Sequence, residues 1–117
     1  MKNYLLEYSK ELSIVIEKLC CNKLKNKDCG NIIFQIRKSS SSVYANISEA
    51  QYPQSLPDML SKLKIARKEC METESWLNLL YSTNHITQEE FKEYRNLCGR
   101  IRRIITASCT TIEKKIN

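Results

Sequence analysis

Apolar residues recur at alternating steps of three and four through four separate stretches of this chain. This spacing places them on one face of an α-helix, whereas a half-buried strand needs an apolar residue at every second position. It predicts helices over about residues 3–24, 31–51, 56–82 and 88–116. Gly and Pro number two each in 117 residues, which disfavours an all-β or loop-rich fold. The fourth stretch has the longest stripe: Phe91, Tyr94, Cys98, Ile101, Ile105, Ser108 and Ile112.

Residues that favour turns and helix ends separate these stretches. Residues 26–31 have turn composition, and Ser55 is a good N-cap with Asp58 in the first turn that follows it. Asn84 suits a left-handed C-cap, and the sequence from Thr87 to Glu90 is a capping box. Four helices joined by short turns predict an all-α, up-down-up-down antiparallel four-helix bundle, with residues 1–117 as one domain.

Two polar features interrupt the apolar stripes. Ser39–Ser42 could form a loop, since serine is a mediocre helix former, but the apolar phase continues from Ile36 to Val43. We therefore expect a helix there, with small residues that let a neighbouring helix approach closely. On the third helix, either Thr73 or Glu74 occupies the inward position, and an inward carboxylate would reach outward or meet a base from another helix.

Several classes of protein are disfavoured by what the sequence contains. The single His85, in a predicted turn, and the absence of CxxC pairs argue against a metal site, and no phosphate-binding glycine loop occurs. We therefore expect a protein that is not an enzyme and needs no cofactor. No apolar run is long enough to cross a membrane. Acidic and basic residues interrupt the first apolar stretch, which argues against a signal peptide. We expect a cytoplasmic protein whose six cysteines are reduced thiols.

The net charge of +6 is concentrated near the carboxyl end, since residues 84–117 carry half of it. At 100° per residue, four basic residues of the fourth helix share a face about 100° wide, and a fifth, Arg100, extends it. This face is either a solvated surface that favours solubility or a phosphate-binding surface, for which arginine is well suited. The predicted nucleic-acid contacts are Lys92, Arg95, Arg100, Arg102 and Arg103.

Residues 35–50 carry a motif, Gln-Ile-Arg-Lys followed by Ser-Val-Tyr-Ala-Asn-Ile-Ser-Glu-Ala. This motif and residues 64–77 resemble the family of four helix bundle proteins, which includes proteins encoded by intervening sequences of 23S ribosomal RNA genes and the accessory variability determinant of diversity-generating retroelements. The chain departs from the family pattern in two ways. Ala50 replaces a glycine, and residues 51–54 lack the base that usually follows it.

The resemblance implies a homo-oligomer, a pentamer of four-helix bundles with a basic surface. In the retroelement branch it also implies binding to nucleic acid and to a reverse transcriptase. Arg37 and Lys38 match the basic pair of the motif, and are either further nucleic-acid contacts or partners of Glu72 or Glu74 within the bundle. Asn46 and Glu49, which also match, are interpreted first as structural residues.

Three hypotheses for function remain open at this stage. The first is a basic homo-oligomeric accessory protein that binds RNA or DNA largely without sequence preference, in association with a reverse transcriptase or a 23S rRNA insert. The second is a protein–protein adaptor whose basic face docks an acidic partner, anchored by Tyr44, Trp76, Leu79 and Leu97. The third is a plain scaffold or a regulator that senses redox state through its cysteines.

Overall fold

A computed structural model of the protein describes residues 3–117. These residues form an all-α four-helix bundle of 48 × 24 × 22 Å. Its helices are α1 (Tyr4–Cys21), α2 (Gly30–Ala50), α3 (Leu56–Ser82) and α4 (Gln88–Ile116). Each packs against the next one along the chain, and α4 closes the bundle against α1. The ion pair between Glu49, at the end of α2, and Lys62, near the start of α3, shows that these two helices run antiparallel.

Side-chain caps define where three of the helices begin. The side chain of Asn3 accepts a hydrogen bond from the Leu6 N–H, and Ser55 accepts one from the Asp58 N–H at 3.1 Å. At α4, Thr87 Oγ1 accepts from the Glu90 N–H while the Glu90 carboxylate accepts from the Thr87 N–H, which is the reciprocal capping box that the sequence predicts. Asn84 has a φ of 62°, as expected for a left-handed residue after α3.

The end of α1 differs from the sequence-based expectation. The helix ends at Cys21 and not near residue 24, because the chain turns at Asn22 and folds Leu24 under the bundle. Leu24 is fully buried there, and its N–H bonds to the Leu19 carbonyl at 3.0 Å. A left-handed residue, Asn26, with a φ of 65°, lies within the connection to α2.

The serine run is helical, as the apolar phase predicts. The hydroxyls of Ser39, Ser40 and Ser41 each bond to the backbone carbonyl three residues earlier, which satisfies them within the helix. Ser39 is buried and lies 2.8 Å, oxygen to oxygen, from the buried Thr73 of α3. Thr73 is therefore the inward residue, and the small hydroxyl side chains meet between α2 and α3, the pair of helices with the most extensive contact.

The buried core follows the predicted stripes closely, with one shift near the end of α4. Cys109 is buried there and Ser108 is not, because the inward face of α4 has turned slightly by its last two turns. All six cysteines are free thiols, and Cys70 donates to the Cys98 carbonyl at 3.3 Å in the core. A hydrogen bond with the Cys70 side chain, together with burial, holds the pKa of the Cys98 thiol well above its usual value.

Residues 3–117 contain neither a membrane-spanning helix nor a metal-binding cluster. None of the helices in this range is long and apolar enough to cross a membrane. Within the same range, no group of three or more His, Cys, Asp or Glu side chains is placed to hold a metal ion.

Candidate nucleic-acid interface

Four of the predicted arginines line one surface groove on α4. The groove has a volume of about 410 Å³ and is called the arginine groove below. Among the described residues that line it, four guanidinium groups face a single carboxylate. These lining residues are Glu74, Arg95, Asn96, Gly99, Arg100, Arg102 and Arg103.

Gly99 forms the floor of the groove and is buried beneath two arginines. A Cβ atom at this position would lie 3.3 Å from Arg103 Nη1 and 3.9 Å from Arg102 Nη2. Glycine is costly inside a helix, about 1 kcal/mol relative to alanine, so its presence in mid-helix is notable. Here the missing side chain lets the two guanidinium groups fold back across the helix.

Arg102 is anchored to α3 by Glu74. Its Nε lies 2.5 Å from one carboxylate oxygen of Glu74 and its Nη2 lies 3.0 Å from the other, a bidentate pair. The hydrogen bond to Glu74 is the largest influence on the Arg102 guanidinium and raises its pKa. Because Glu74 already accepts hydrogen bonds from two of its N–H groups, the charge of Arg102 is partly neutralised. Its side chain is 39% exposed.

Arg95 and Arg100 are each held by an aromatic ring. The Arg95 guanidinium carbon lies 5.0 Å from the centre of the Phe91 ring, which itself stacks on Tyr81 at 4.8 Å. Arg100 lies 5.2 Å from the centre of the Tyr8 ring on α1. These cation–π contacts position the two exposed guanidinium groups while leaving their N–H groups accessible for other acceptors.

The other three predicted contacts do not join this groove. Lys92 is exposed on α4, outside the groove lining. Arg37 pairs with Glu17 of α1: its Nε lies 3.0 Å from Oε2, and its Nη2 contacts Oε1. Of the two alternatives for Arg37, pairing with Glu72 or Glu74 is therefore wrong, because α2 presents Arg37 towards α1. Lys38 lines a separate hollow with Phe34 and Arg37.

Two acidic residues of the bundle form ion pairs with basic residues of neighbouring helices, Glu17 with Arg37 and Glu49 with Lys62. The hydrogen bond from Arg37 lowers the pKa of Glu17 below its usual value. Glu49 pairs with Lys62 of α3 at 3.2 Å, which confirms its structural interpretation. The Asn46 amide donates to the Ser42 carbonyl at 2.9 Å, within α2 itself.

Fold and surface together define a small, basic four-helix bundle with an arginine-lined groove. Residues 2–107 match the family model described as 23S rRNA-intervening sequence protein, and the chain belongs to this family. This confirms the resemblance identified from residues 35–50.

A solved structure supports the same assignment. The chain is similar to a protein with unknown function from the S23 ribosomal protein family of Bacteroides thetaiotaomicron, at 34% sequence identity and a TM-score of 0.83. The match covers 92% of this chain and 96% of that one. A comparison with curated proteins finds no match. Neither the family description nor that of the solved structure assigns an enzymatic activity.

Proposed function

We propose that this protein is a non-enzymatic nucleic-acid-binding protein that contacts phosphates through the arginine groove. The observation that carries the proposal is the convergence of Arg95, Arg100, Arg102 and Arg103 on one groove floored by Gly99. Three of them are held in place, two by aromatic rings and one by Glu74. Pre-positioned guanidinium groups lose less conformational freedom when they bind, which favours affinity.

The chemistry of the groove favours backbone recognition. Guanidinium groups bind phosphate oxygens in bidentate fashion, and phosphate contacts carry no base sequence information. Binding by the groove itself is therefore expected to be strongly salt dependent and largely independent of sequence. Lys92 extends the same helix face towards the start of α4 and is proposed as a peripheral contact, whereas Arg37 and Lys38 are proposed only as weaker, separate ones.

A homo-oligomer would strengthen binding by this groove. The family resemblance supports a pentamer, in which five copies of the groove would act on one nucleic acid and raise the effective concentration of contacts. A net charge of +6 per chain would then become about +30 per assembly. Mass measurement in solution tests this, and a stable monomer at micromolar concentration would contradict it.

We infer an accessory role in the cytoplasm, either with a reverse transcriptase of a diversity-generating retroelement or with a 23S rRNA insert. The family description supports the second setting. Co-purification from native cells distinguishes them: a polymerase retained with nucleic acid supports the first, and ribosomal RNA alone supports the second. An acidic protein retained after nuclease treatment, with no nucleic acid bound, would instead support the adaptor hypothesis.

The direct test compares two double variants with the same net charge. Arg95→Gln with Arg103→Gln removes two groove charges, while Lys114→Gln with Lys115→Gln removes two exposed charges from the last turn of α4. Arg102 is retained because its loss would leave Glu74 unpaired. Titration with RNA, DNA and hybrid duplex at low and moderate salt should show at least tenfold weaker binding for the groove variant alone. Equal affinity of the two variants would contradict the proposed function.

A further inference from the structure

A second concavity adjoins the arginine groove. It lies between α1 and α4, has a volume of about 260 Å³, and is called the α1–α4 cleft below. Two residues, Asn96 and Arg100, line both the cleft and the groove, so the two form one continuous surface. The cleft is lined by Glu11, Val15, Glu93, Tyr94, Asn96, Leu97 and Arg100.

Loose packing accounts for the cleft. Of the four neighbouring helix pairs formed by residues 3–117, α1 and α4 make the least contact along their length. Val15, Tyr94 and Leu97 line the cleft, are partly buried and pack against the core. The lining therefore combines apolar side chains with the polar side chains of Glu11, Glu93, Asn96 and Arg100.

The chemistry of the cleft differs from that of the groove. Glu11 and Glu93 lie on opposite helices of the lining, and their carboxylates would repel a phosphate. Carboxylates accept hydrogen bonds from the exocyclic amino groups of cytosine and adenine. The volume of the cleft, about 260 Å³, is also below the roughly 300–1,000 Å³ of pockets for drug-sized ligands. A single flat ring fits these properties.

We propose that the cleft receives one unpaired base of a single-stranded nucleic acid whose phosphates lie on the arginine groove. This proposal rests on the proposed function and names its substrate class. Arg100, held against Tyr8, lies at the junction, where a guanidinium plane can stack on the base or bind the adjacent phosphate. Bases of an intact duplex are paired and stacked, so they cannot enter the cleft without being flipped out. Single strands therefore bind more tightly than duplexes of equal charge.

The substrate-side test uses oligonucleotides with the wild-type protein. A 12-nucleotide adenine strand is compared with a strand of the same length in which every base is removed, leaving the phosphates unchanged. The abasic strand should bind about tenfold more weakly, since stacking one base on a protein surface contributes measurably to affinity. Equal affinity of the two strands would overturn the base site and leave the phosphate groove intact. Failure of every strand and duplex to bind would overturn both proposals.

The protein-side test fills the cleft. Val15→Trp places an indole between α1 and α4, and the matched control is Ile65→Trp, on an exposed face of α3. Val15→Trp should weaken single-strand binding about tenfold and leave duplex binding unchanged, while the control changes neither. Equal loss for single strand and duplex, or no loss at all, would overturn the proposal.

A second variant tests the cleft without inserting a larger side chain between α1 and α4. Glu11→Gln with Glu93→Gln preserves the size of the cleft but replaces each charged acceptor by a neutral amide, a weaker acceptor whose NH2 group can also donate to thymine O4. The wild-type protein should prefer cytosine strands over thymine strands, and this variant should reduce that preference at least threefold. An unchanged preference, or none in the wild type, would contradict base recognition by these two residues.

Discussion

The glycine beneath the arginines gives the sharpest prediction, because it should move stability and binding in opposite directions. In Gly99→Ala, the added Cβ lies 3.3 Å from Arg103 Nη1, the flexible tip of a long side chain, which can move by a few tenths of an ångström. The gain in helix propensity is about 0.8–1.0 kcal/mol. For a chain of this length, that corresponds to a rise in Tm of about 4 °C.

The same substitution should impair the groove. It fills the floor and shifts Arg103, so affinity for a 20-nucleotide RNA should fall about two- to tenfold, the equivalent of one lost hydrogen bond. Thermal unfolding followed by circular dichroism at 222 nm gives the first quantity, and fluorescence anisotropy gives the second. Gly30→Ala is the control, because a Cβ there meets nothing within 4 Å and the residue lies at the start of α2.

Two results would refute this reasoning. A lower Tm for Gly99→Ala would mean that the glycine is required by backbone packing and not by the arginines. A raised Tm with unchanged affinity would mean that the position of Arg103 over Gly99 has no part in binding.

Three further predictions concern the bundle itself. Arg102→Gln should lower the free energy of unfolding by about 1–3 kcal/mol in urea denaturation, because it leaves the Glu74 carboxylate, 19% exposed, without its counter-ion; adding Glu74→Gln should restore part of the loss. Thr87→Ala should cost about 1 kcal/mol in the same assay by removing the cap of α4, and no measurable loss would contradict the capping role. Burial raises the pKa of Glu90, but hydrogen bonds from Lys23 and the Thr87 N–H outweigh it and lower the pKa below its usual value. The stability that Glu90 contributes is therefore complete above about pH 4.5 and lost as the pH falls, so Tm measured from about pH 6 to 3 should fall less in Glu90→Gln than in wild type.

The four-helix architecture follows from local information. The apolar phase passing through Ser39–Ser42 correctly indicates a helix, and the capping residues Ser55 and Thr87 mark where α3 and α4 begin. These features depend on residues a few positions apart, which the sequence shows directly. The early end of α1 was missed because it depends on the burial of Leu24 by other helices, which no local pattern reveals.

The candidate site was only partly predictable for a related reason. Helical spacing groups five basic residues on one face of α4, and four of them, all but Lys92, line the arginine groove. Which acid each base meets depends on the relative register of packed helices, so the partners of Arg37 and Arg102 were not foreseen. Gly99 was missed although a signal was present: one of two glycines in the chain lies in mid-helix among arginines.

The central claim is that the arginine groove binds nucleic-acid phosphates, and the salt dependence of binding tests it most directly. The slope of log K against log salt concentration counts the phosphate contacts that release counter-ions. The variant Arg95→Gln with Arg103→Gln should make this negative slope shallower by about two units relative to wild type, about one for each lost contact. The variant Lys114→Gln with Lys115→Gln should leave the slope unchanged. Identical slopes for the wild type and the groove variant would show that the phosphates bind elsewhere, and would contradict the claim.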